Sequence, residues 1–82
     1  MELEPVTQLM PGKLYQIRTA CTLLNWRRQV DYFFDRGEMC MFLSFENNGP
    51  RGLDYIFLCG KDTYRLRLGP GDNIHYYMER YL

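Results

Sequence analysis

The sequence predicts a mainly β domain of about five strands, and three features carry that expectation. Residues 39 to 45 alternate strictly, with Met39, Met41, Leu43 and Phe45 on one face and Cys40, Phe42, Ser44 and Glu46 on the other. The runs Leu53 to Cys59 and Thr63 to Leu68 flank so short a break that they read as a tight antiparallel hairpin. Between the first two of these runs, Asn47-Asn48-Gly49-Pro50-Arg51-Gly52 is dense in residues that accept turns or positive φ, and is read as a loop.

Each remaining element follows from local chemistry. Pro11-Gly12 marks a turn that ends an acidic N-terminal arm, residues 1–11, expected to be loose. A single domain over residues 12–82 then opens with the strand-like run Lys13 to Arg18. Residues 20–36 remain open between a helix and a long hairpin loop. Leu23, Trp26, Val30, Phe33 and Phe34 recur at helical spacing, while strand-forming residues fill the same window. Gly37 suits either outcome, closing a helix or turning into the next strand. In the second hairpin strand Tyr64, Leu66 and Leu68 oppose Thr63, Arg65 and Arg67. Gly69-Pro70-Gly71-Asp72 breaks the sheet, Asp72 or Asn73 caps a helical turn through Ile74 to Met78, and Glu79 to Leu82 is read as a last edge strand.

Laid end to end, these elements resemble an SH3-like small barrel. The matching pieces are Leu14-Tyr15 as the opening strand, Phe34-Asp35-Arg36-Gly37-Glu38 as a diverging turn, and Pro70 to Tyr77 as a closing turn. Leu14-Tyr15-Gln16-Ile17 lacks the acidic residue and second tyrosine of the peptide-binding version, and no tryptophan follows the 47–52 loop, so the resemblance does not imply proline-rich ligands. The block Phe42 to Phe45 with Tyr55 to Asp62 is also similar to short accessory proteins of large tailed bacteriophages, which implies action on a host factor or defence and a place in the host cytoplasm.

Composition limits the function classes. The chain has 82 residues, 46% hydrophobic and 16% aromatic, enough apolar matter for a dense small core. Ten basic residues balance ten acidic ones, so no global field favours nucleic acid or anionic membrane. No eighteen-residue apolar run and no leader pattern is present, and the chain is read as cytoplasmic, without a membrane partner. Cys21, Cys40 and Cys59 are odd in number and widely spaced, which reads as buried thiols in a reducing compartment; neither a disulfide frame nor a metal site is expected.

Catalysis is not expected either. His75 is the only histidine and has no nucleophile beside it in sequence, although a pairing with one of the cysteines stays open; the default is a surface histidine. Asp31, Asp35 and Glu38 mix with Arg27, Arg28 and Arg36 as a solvated surface would, and no phosphate-cradling glycine motif occurs. No cofactor is expected. The residues favoured for partner binding are Trp26, Arg27 and Arg28, an aromatic beside two guanidinium groups, joined by Tyr55, Tyr76 and Tyr77 at one end of the barrel. Tyr81 belongs to the same phenol-rich end. The expected function is a non-enzymatic module, monomeric or a small homo-oligomer, that docks on a larger protein. Nucleic-acid or nucleotide binding is the second reading, through Lys61, Arg65 and Arg67 on the polar face of the hairpin.

Overall fold

The computed structural model describes residues 9–80. Among these described residues, seven strands form one curled antiparallel sheet, an open half-barrel, instead of the five expected. They are β1 (Leu14–Ile17), β2 (Cys21–Asn25), β3 (Val30–Phe34), β4 (Met39–Asn47), β5 (Leu53–Cys59), β6 (Asp62–Leu68) and β7 (Met78–Arg80). Across the sheet the order is β3-β2-β6-β5-β4-β1-β7. One helical turn, α1 (Ile74–Tyr77), precedes β7, and Asn73 caps it by accepting from the His75 amide at 2.9 Å. Tyr81 and Leu82, the end of the expected edge strand, lie outside the described residues.

The extra strands come from residues 20–36, which form neither a helix nor a long loop but the β2–β3 hairpin. Strand parity, not helical spacing, organises this segment: Cys21, Leu23 and Asn25 share the inner face with Val30, Tyr32 and Phe34. The apparent 3.6-residue period arose because Trp26, on the connecting turn, falls between inward and outward positions of two separate strands. The meander β4–β5–β6 forms as expected. Its tight turn places Gly60, at φ 66°, in the first of two positions between paired Cys59 and Asp62, a conformation that glycine adopts without steric cost.

β4 breaks the strict alternation read from the sequence. Met41 pairs with Leu58 and Phe42 with Phe57, but Ser44 pairs with Ile56 and Phe45 with Tyr55, so Leu43 is an extra residue in a β-bulge. Before the bulge Cys40 and Phe42 point inward; after it Phe45 joins their side, and Ser44 and Glu46 point outward. The inner face closes over Ile17, Leu23, Phe42, Phe57, Ile74 and Met78, all essentially without solvent contact. Residues 1–8 of the N-terminal arm lie outside the described residues. Leu9 is buried in the core, and the Met10 amide donates to the Tyr15 hydroxyl at 2.8 Å.

The same hairpin corrects the reading of the cysteines. Continuing the Met41–Leu58 pairing by one step sets Cys40 opposite Cys59, their Cα atoms are 4.9 Å apart, and their sulfurs form a disulfide. Cys21 is free and half-buried, and burial pushes its thiol pKa up, away from the thiolate that a nucleophile requires.

Candidate interaction surface

Trp26 opens the turn between β2 and β3, and its surroundings are built residue by residue. Asn25 is buried, 1% exposed, and both polar atoms of its amide have partners: Oδ1 accepts from the Arg28 amide at 2.8 Å and Nδ2 donates to Asp62 at 3.0 Å. Asp62 in turn accepts two bonds from Arg27, both 3.0 Å, and these, with Asn25, hold its carboxyl below the usual range. Gln29 takes φ 57°, donates its amide to the Asn25 carbonyl at 2.7 Å, and reaches back through Nε2 to the Trp26 carbonyl at 2.7 Å. A non-glycine residue in that conformation is held by its surroundings. The conformation of the turn is thus specified by hydrogen bonds from within the chain.

The indole itself is 47% exposed. Its ring rests on the Arg65 guanidinium, whose central carbon is 3.9 Å from the ring centroid. Arg65 is fixed from beneath by Glu46 at 2.9 Å and Asp54 at 3.4 Å, while Arg67 donates to both Asp54 oxygens at 2.6 and 2.9 Å. Asp54 is 2% exposed, and the bonds from Arg67, then those from Arg65, keep its carboxyl pKa low against the opposing effect of burial.

Trp26 is also the end of an apolar row that sequence reasoning missed. Its amide donates to the Thr63 carbonyl at 3.1 Å, and the cross-strand register continues from Thr63 to Leu58, Met41 and Leu14. Beside that row lie Met39 on one side, and Ile56 and Leu24 on the other. All of these side chains are on the outer face of the sheet, and Leu14 and Met39 are exposed. A signal was present in β5, where Tyr55-Ile56-Phe57-Leu58 is apolar at four successive positions, a pattern of strands covered on both faces.

The structure groups some of the expected site residues and separates others. Trp26, Arg27 and Arg28 share the turn; Arg28 reaches the Tyr32 hydroxyl at 3.4 Å, and Arg27 is committed to Asp62. Tyr55 is not on the surface: it is 2% exposed and packs on Phe42 and Phe45 in the core. Tyr76, exposed, and Tyr77, half-buried, stack edge to face at 5.0 Å. Their carbonyls receive Thr19 and Arg18, just before β2, whereas Trp26 follows its far end. The length of β2, roughly 16 Å for five residues at strand rise, separates the two groups. Lys61 is exposed on the β5–β6 turn, and Arg65 and Arg67 lie on the outer face bound to carboxylates.

His75 uses its backbone to bond Asn73 and Arg18, and two of the three cysteines are spent on each other. Among the described residues no three His, Cys, Asp or Glu side chains gather as a metal would require. None of the described helices is long and apolar enough to cross a membrane. Compared with known proteins, the chain matches no family model, no curated protein and no solved structure.

Proposed function

We propose that the chain is a non-enzymatic binding module that docks on a larger protein through the outer face of its sheet, with Trp26 as the anchor. One observation carries this reading: a half-exposed tryptophan, fixed by a hydrogen-bonded turn and a guanidinium, ends an open apolar row running to Leu14. Aromatic anchors that lose little freedom on binding dominate protein interfaces. Arg28 supplies a polar rim. The short first strand, long excursion, three-strand meander and closing turn support the SH3-like reading. The resemblance to phage accessory proteins makes a protein of a bacterial host, in its cytoplasm, the partner class to seek.

The second reading, nucleic-acid binding through Lys61, Arg65 and Arg67, is the less supported of the two. A phosphate-tracking face needs uncompensated cations, and here Arg65 and Arg67 are both tied to Asp54, with Glu46 alongside.

The test is capture of partners from a bacterial lysate on the immobilised chain, with nuclease throughout, followed by the Trp26→Ala variant. The expected result is one stoichiometric protein that survives nuclease and binds at least tenfold more weakly to the variant. The variant should melt as the wild type does. Undiminished binding by a folded variant, or material that vanishes with nuclease, overturns the reading.

A further inference from the structure

The two edges of the sheet are unequal. β7 is three residues long and presents charged, exposed Glu79 and Arg80, which guards it against further pairing. β3 is five residues long and, among the described residues, no strand lies beyond it. It presents Val30, 51% exposed, and Phe33, 65% exposed.

The direction of its free backbone groups follows from the ladder. The Trp26 amide bonds to β6, so alternate residues Leu24 and Trp26 face β6, and Cys21, Leu23 and Asn25 face β3. Their partners Val30, Tyr32 and Phe34 turn back toward β2, and the N–H and C=O groups of Asp31 and Phe33 point outward.

We propose that a second copy of this chain adds its own β3 antiparallel to this edge, about a two-fold axis at Tyr32. This register brings Asp31 opposite the copy's Phe33 as bonded pairs, and Tyr32 opposite itself as the closer, non-bonded pair. On the inner face it matches Val30 with Phe34 on both sides of Tyr32, pairings of the aromatic and β-branched kind that stabilise sheets. The neighbouring registers fail on charge: centring on Asp31 sets two carboxylates face to face, and centring on Phe33 sets Asp31 against Asp35. Ten positive and ten negative side chains leave no net repulsion between copies. The dimer is closed, because each copy has used its only unguarded described edge. It does not depend on the Trp26 anchor.

Sedimentation of the full chain over a wide concentration range tests this. The expected result is a shift from the monomer mass to twice that mass and no further, with the Asp31 and Phe33 amides gaining exchange protection as dimer forms. Phe33→Pro removes only an outward N–H and is tolerated on an edge strand, so it should weaken the dimer at least tenfold and leave the fold intact. Phe33→Glu, which keeps the backbone and sets a second carboxylate opposite the copy's Asp31, should do the same if the proline variant does not fold. Trp26→Ala should dimerise as the wild type does, which separates this result from the docking reading. A single mass at all concentrations, growth beyond two copies, or a folded Phe33 variant that dimerises normally overturns the proposal.

Discussion

At the scale of single residues, Asp54 couples the outer face to solvent pH. Its carboxyl is buried under Arg67 and Arg65 and its pKa is lowered, Arg67 being the larger cause. A pKa depressed on folding adds stability that is fully present above the unfolded value, about 3.9, and is lost as pH falls through the lower folded value. Urea midpoints should therefore fall as pH drops from about 5 toward 2. Asp54→Asn should be less stable at neutral pH and show a shallower fall, with Asp62, also held low, leaving a residual slope. A variant that follows the wild-type curve at all pH values would show that the carboxylate contributes nothing. The outward placement of Arg65 and Arg67 was legible in their alternation with Leu66 and Leu68. Their neutralisation was not, because Asp54 meets Arg67 only through cross-strand register, thirteen residues away in sequence.

At the scale of elements, the β4–β5 hairpin shows where periodicity stops being informative. Both strands and the loop between them were readable, although Asn47, read as loop, ends β4 opposite Leu53; the disulfide was not. Pairing outward from the loop through Asn47–Leu53 and Ser44–Ile56 would set Cys59 opposite Met41, and only the extra Leu43 brings Cys40 there. Titration of the native chain should accordingly count one slow thiol, Cys21, and three after reduction under denaturing conditions. Reduction should lower the unfolding free energy by about 3 kcal/mol, the chain-entropy value for a loop of this size. Three fast thiols in the native protein would remove the bridge. The β2–β3 hairpin was hidden for a different reason. Its strands are short enough that a few apolar residues satisfy helical and strand periods equally, and the decisive contacts of Asn25 are with Arg28 and with Asp62, the latter 37 residues away.

At the scale of the whole molecule, the sheet carries apolar side chains on both sides: a closed inner face and an outer row from Leu14 to Trp26. The mainly β class, the meander and the capped closing turn were legible because each rests on neighbouring residues. The outer row was not, since it is assembled from four strands and the β2–β3 turn, which only the topology places side by side. The bulge in β4 sets how this architecture responds to insertions and deletions. Removing Leu43 leaves Phe42 opposite Phe57 and Ser44 opposite Ile56, so every partner and both faces survive in a plain ladder. Removing Met41 instead moves Cys40 to the outer face opposite Leu58. Two single-codon deletions, two positions apart, should thus give opposite outcomes in the same thiol titration: one thiol in the first protein, three in the second.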